Sequence, residues 1–122
     1  MQTFHLHLVS DSTGETVSSV ARAAITQFDG IDPEEHVWSL VRTRSQMEKV
    51  LAGLEENPGV VMYTLVEGEL CDMLRKACQK ASQPCIPLLA TVVSELSNFL
   101  GVKTQAQAPG RHQGRILELE GA

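Results

Sequence analysis

The sequence predicts an α/β fold, an open and mainly parallel sheet of about four strands with flanking helices in Rossmann-like βα repeats. Three observations predict it. Four apolar, strand-like runs alternate with four helix-like patterns along the chain. Their spacing is that of βα units, which right-handed crossovers join into a parallel sheet. The most continuous apolar run, "VVMYTLV" at 60–66, reads as a central strand covered on both faces.

Taken in order, the first strand runs roughly from Thr3 to Val9. Val17, Val20, Ala21, Ala24, Ile25 and Phe28 then form an i, i+3, i+4, i+7 stripe, the mark of an amphipathic helix. "HVWSLV" at 36–41 reads as the second strand, and Met47, Val50, Leu51 and Leu54 as the inward face of a second helix closed by "NPG". After the central run, a third helix turns Leu70, Leu74, Ala77, Cys78 and Ala81 inward. It carries Glu67 and Glu69 early and Arg75, Lys76 and Lys80 late, as the helix dipole favours. "PCIPLL" is a short edge strand limited by its prolines. The last helix, about 88–100, has Leu89, Val92, Val93, Leu96 and Leu100 on one stripe and Gly101 as its stop. Residues 1–103 therefore read as one α/β domain, and 104–122 as a connector.

At 122 residues the chain has the length of one ordinary domain. Hydrophobic residues make up 43% and charged residues 20%, the balance of a soluble globular chain and not of a disordered one, and the 4% aromatic share makes the core mostly aliphatic. A formal charge of -5 works against nucleic-acid binding, which needs basic side chains to neutralise phosphates. No apolar run is long enough to cross a bilayer, and "MQTFHLH" lacks the form of a signal peptide, so the expected location is the cytoplasm. Cys71, Cys78 and Cys85 have no CxxC spacing. On one helix, Cys71 and Cys78 lie about 10 Å apart, too far for a disulfide, so buried thiols are expected.

The chemistry concentrates in "SDSTGET", residues 10–16, at the end of the first strand. In open α/β sheets ligands sit at the carboxyl ends of the strands, near a reversal in strand order. A helix N-terminus there offers unpaired N–H groups and positive dipole to an anion, and Gly14 lets a ligand come close. The same residues fit a second reading. Ser12 and Glu15 have the spacing of a capping box, Asp11 and Glu15 repel phosphate, and the lysine of a Walker A loop is missing. Arg42 and Arg44, at the end of the second strand, fall on the same edge. They either offset those carboxylates and clamp an oxyanion, or form a solvated surface pair. His5 and His7 share a face of the first strand, but with no third ligand in view no metal site is assigned. Arg111 and His112, in "PGRHQGR", either bind an anion or belong to an exposed connector.

"FHLHLVSDSTGETVSSVARAAITQF", "VMYTLVEGELCDMLRKAC", "PCIPLLATVVSELSNFLG" and "PGRH" resemble, in that order, the N-terminal region of the pyruvate, phosphate dikinase and phosphoenolpyruvate synthase regulatory proteins. The glycine-glutamate form of the first turn resembles the dikinase branch more closely. The resemblance implies a bifunctional regulator, a serine/threonine kinase that uses ADP to phosphorylate a threonine of its target. The same protein then acts as a pyrophosphorylase, removing that phosphate with inorganic phosphate. It implies the dikinase or the synthase as protein substrate, with a homodimer as an allowed assembly. The family's glycine- and lysine-containing nucleotide loop is absent from this sequence. The chain therefore resembles a fragment, inactive alone, whose connector leads toward a C-terminal nucleotide-binding domain, and no ADP ligand is assigned here. What the resemblance brings to this domain is an active-edge loop of Ser10, Asp11, Ser12, Thr13, Gly14 and Thr16, with Asp11 the catalytic candidate. Arg42 and Arg44 support it as anion ligands, and Arg111 and His112 face the missing half. The other reading is a stand-alone receiver- or flavodoxin-like module that binds a phosphate, a phosphoprotein or Mg²⁺ without catalysis.

Overall fold

In the computed structural model, which describes residues 1–66 and 68–103, strands and helices alternate throughout. The order is β1 (Gln2–Val9), α1 (Glu15–Ile25), β2 (Ile31–Trp38), α2 (Arg44–Glu56), β3 (Gly59–Tyr63), α3 (Glu69–Lys80), β4 (Cys85–Pro87) and α4 (Ala90–Leu100). All pairings are parallel and the sheet order is β2-β1-β3-β4. The expected α/β sheet is the observed one.

Period-two alternation splits the core in two. Val9, Val61 and Tyr63 face the layer formed by α2 and α3, where Met47, Val50, Leu54, Cys71, Leu74 and Cys78 close over them. Leu6 and Leu8 face the other way and pack on Val17 and Ala21 of α1. With β1 and β3 in the middle of the sheet, their near-continuous apolar sequences follow from burial on both sides.

Four expectations change. The second strand is not 36–41 but begins five residues earlier, because all eight residues of β1 find partners, from Gln2↔Ile31 to Val9↔Trp38. The acids and proline of "IDPEEH" hid it. On an edge strand charged residues face water and a proline's missing N–H is tolerated, so the segment pairs despite its composition. Residues 39–41 instead form the loop beyond it, with Leu40 in the left-handed region at φ 56. On the expected stripe of α1, Phe28 lies beyond the helix end and is 64% exposed, and Val20 is 43% exposed. Ala81 caps α3 and is exposed. Finally, α4 forms, but its expected inward stripe is only partly covered: Leu89 and Val93 are half-buried, while Val92, Leu96 and Leu100 are 53%, 53% and 62% exposed. Helical periodicity predicted the helix; it carried no information on what would cover it.

The cysteines are free, with Cys71 and Cys78 buried on α3 and Cys85 half-buried on β4. Burial pushes the Cys71 thiol up from its ordinary pKa, and the Cys78 thiol, with burial, does the same for Cys85. A raised pKa leaves less thiolate at neutral pH, and the thiolate is the nucleophile. In the folded protein Cys71 is therefore expected to react with a disulfide reagent at pH 8 roughly a hundredfold more slowly than in denaturant. Equal rates in the two states would show that it is not enclosed as described.

Candidate functional site: the rim between β1 and β3

The chain steps from β1 outward to β2, then crosses back over β1 to reach β3. Strand order thus reverses between β1 and β3, and the crevice lies at their carboxyl ends. The turn after β1 and the loop after β3 form its two walls.

Backbone bonds tie these loops into one rim. The Ser10 N–H donates to the Trp38 carbonyl at 2.9 Å, Val41 N–H donates to Ser10 O at 3.0 Å, and Leu40 N–H donates to Ser12 O at 2.8 Å. On the other side the Thr64 N–H donates to Val9 O at 3.1 Å. Within the first turn, buried and exposed residues alternate. Ser10, Ser12 and Gly14 are buried, Asp11 is half-buried, and Thr13 and Thr16 are exposed. The Ser10 hydroxyl accepts from the Ser12 N–H at 3.0 Å and lies 3.5 Å from the Ser12 hydroxyl. These two serines therefore fix the bend, which leaves Asp11, Thr13, Glu15 and Thr16 as the side chains of the turn that reach the surface.

The expected capping box at Ser12 and Glu15 does not form. Helix α1 starts at Gly14, whose φ of 90° places the turn in the left-handed region, and no side chain caps it. Ser12 is held inside by its neighbours and cannot reach the first turn. The capping box appears one loop later, where the Thr43 hydroxyl accepts from Gln46 N–H at 3.2 Å and Gln46 Oε1 accepts from Thr43 N–H at 3.0 Å. Helix α3 resembles α1: it starts at Gly68, φ 107°, without a side-chain cap. Among the described residues α1, α3 and α4 all begin without a side-chain cap and only α2 has one, so the first-turn N–H groups of α1 and α3 at the β1/β3 crevice are unclaimed by side chains. N–H groups of this kind can donate to an anion.

The arginines divide their roles. The Arg42 Nε donates to the Asp11 carbonyl at 2.8 Å, placing its guanidinium against the turn. Arg44 pairs instead with Glu69 in the first turn of α3, bridging from the second loop to the third. Both partners are well exposed, so the pair contributes at most about 1 kcal/mol, and an incoming anion competes for Arg44 at little cost. The two do not form a single clamp. Arg111 and His112 lie outside the described residues.

Sequence reasoning missed two contributors. Thr64 follows β3 directly and is 1% exposed, and its Oγ1 is buried without a hydrogen-bond partner among the described residues. Gly68 opens α3. The signal available was a helix start, "VEGE", with no Ser, Thr, Asp or Asn at the capping position.

A parallel sheet with a switch point between β1 and β3 defines an open α/β protein of the kind that binds its ligands at that rim. The chain belongs to the kinase/pyrophosphorylase family, whose model matches residues 6–117. It is 56% identical over 111 residues to a protein of Paramagnetospirillum magneticum provisionally named pyruvate, phosphate dikinase regulatory protein, covering 91% of this chain and 35% of that one. A similarly named protein of Rhodopseudomonas palustris is 42% identical over 109 residues, covering 89% of this chain and 39% of that one. The same figures hold for one of Nitrobacter hamburgensis. The chain thus spans little more than a third of the length of these relatives. Family membership displaces the stand-alone binding module as the favoured reading. Among the described residues no helix is long and apolar enough to cross a membrane.

Proposed function

We propose that this chain supplies one wall of a phosphoryl-transfer cleft in a cytoplasmic regulator of pyruvate, phosphate dikinase. In this reading the whole protein uses ADP to phosphorylate a threonine of the dikinase. It also removes that phosphate by phosphorolysis with inorganic phosphate, releasing pyrophosphate. Phosphoryl transfer asks a protein mainly for positioning and for charge compensation around the moving group. The open N-termini of α1 and α3 on either side of the switch point carry the proposal. They would hold the oxygens of the transferred phosphoryl group or of the attacking phosphate, with Arg42 and Arg44 adding positive charge. Thr13 and Thr16, exposed on the turn, would contact the target segment.

No residue of this chain is assigned to ADP. The resemblance puts the nucleotide loop elsewhere in the family's length, so one domain would present the target and the other the nucleotide. The test is an ADP-dependent phosphorylation assay on purified dikinase, comparing this chain with a protein of the relatives' full length. Transfer to a threonine by the longer protein, with none by this chain alone, is expected. Full transfer by this chain alone, or none by either, would overturn the proposal.

A further inference from the structure

Midway along the β1–β2 pair, about 16 Å down the strand from Ser10 at 3.3 Å per residue, a second group of side chains converges. Register places His5 opposite Glu34 and His7 opposite His36. Because side chains alternate along a strand, these four residues and Trp38 share the face covered by α2. The His5 Nδ1 lies 2.9 Å from the His36 Nε2 and 3.2 Å from the Glu34 Oε2. One ligand atom from each of His5, Glu34 and His36 falls within 4.8 Å of the other two.

From this geometry we propose that His5, Glu34 and His36 form a binding site for a divalent transition metal of zinc's class. Zinc bonds of about 2.0–2.2 Å put tetrahedral ligand atoms roughly 3.4 Å apart, close to the two shorter spacings here. Protons serve the cluster poorly. If the His5 Nδ1 carries a hydrogen, it donates well to Glu34 or to His36 but not to both. If it carries none, its lone pair faces the carboxylate. A cation at the centre satisfies all three lone pairs at once.

Neighbouring residues hold one ligand ready. The His36 ring stacks on His7, with centroids 4.6 Å apart and planes 14° apart. His7 is fixed in turn, its Nδ1 accepting from the Trp38 Nε1–H at 3.1 Å and its Nε2–H donating to the Asn57 carbonyl at 2.7 Å. Both His7 nitrogens are thereby used, so it orients His36 and is not itself a ligand. Two imidazoles and one carboxylate suit zinc, nickel or copper better than calcium or magnesium, which prefer oxygen alone. Glu34 is exposed, giving ions access and leaving room for water as a further ligand. A bound ion would clip the edge strand β2 to β1.

The test is equilibrium dialysis of the purified chain against Zn²⁺, with Glu34→Gln and His36→Gln beside it. One zinc per chain is expected, bound about tenfold more weakly in Glu34→Gln and roughly a hundredfold more weakly in His36→Gln. Zinc should also raise the melting temperature of the parent chain by about 4 °C or more at saturation, and that of Glu34→Gln by less. Glu34 is a surface residue, so its variant decides the matter even if His36→Gln does not fold. Equal affinity in parent and Glu34→Gln overturns the proposal. So does a Co²⁺ complex with a thiolate charge-transfer band, which would place the ion on the cysteines.

Discussion

Gly59→Ala is expected to lower the melting temperature of the chain by about 15 °C or more. Gly59 opens β3 and pairs with His5 in the parallel ladder. A Cβ at this position would lie 2.0 Å from the His5 carbonyl oxygen and 2.7 Å from its carbonyl carbon. Those are backbone atoms of the central strand, so no rotamer change relieves the clash. Either β3 separates from β1 or β1 moves off β2, and both routes open the two halves of the core. Backbone overlap of this kind belongs with substitutions costing more than about 4 kcal/mol, against a total stability of roughly 5–15 kcal/mol for an ordinary domain. Circular dichroism during thermal melting checks it, with Pro58→Ala, at an exposed neighbour, as the control. A Gly59→Ala protein melting within a few degrees of the parent would contradict the β1–β3 register.

Asp11→Ala, made in a protein of the relatives' full length, is expected to lower phosphoryl transfer by about 10²–10⁴-fold while leaving ADP affinity intact. Asp11 lies in the turn after β1, half-buried, with Oδ1 turned inward and its carbonyl held by Arg42. A carboxylate is an unfavourable neighbour for phosphate, so its presence in an anion-accepting crevice calls for a compensating role. In the proposed reaction that role is to take the proton from the attacking threonine hydroxyl, or to hold a cation against the phosphoryl oxygens. The Ser10 hydroxyl and the surrounding backbone set the bend of the turn. The variant should therefore fold. Phosphotransfer rates and ADP binding measured on the same preparation separate the outcomes. Unchanged transfer would remove Asp11 from the chemistry, and lost ADP binding would place the nucleotide at this rim instead.

The alternation of strands and helices was legible because each element carries its own period of burial. Leu6 and Leu8 against Val9, or Met47, Val50 and Leu54 along α2, report directly which side faces the core. Strand β2 was misplaced because an edge strand need not be apolar, so Glu34 and Glu35 looked like a loop. That error had a chemical cost, since shifting β2 to 31–38 is what sets Glu34 and His36 beside His5. The rim was half legible. The turn at 10–16 announced itself by composition, but whether Ser12 caps α1 or folds inward depends on contacts with residues 38–41, thirty positions away. Thr64 was invisible because a lone threonine at a strand end has no pattern of its own.

The central place of β1 bears on how the molecule is made. Its first neighbour, β2, begins at Ile31, and its second, β3, runs to Tyr63. At about 5–20 residues per second of synthesis, the 54 residues between Val9 and its β3 partner Tyr63 take roughly 3–11 s to emerge. For that interval the nascent "LHLV" segment has no complete sheet to enter and offers its apolar side chains to chaperones. The crevice, which needs both β1 and β3, can be assembled only after that wait.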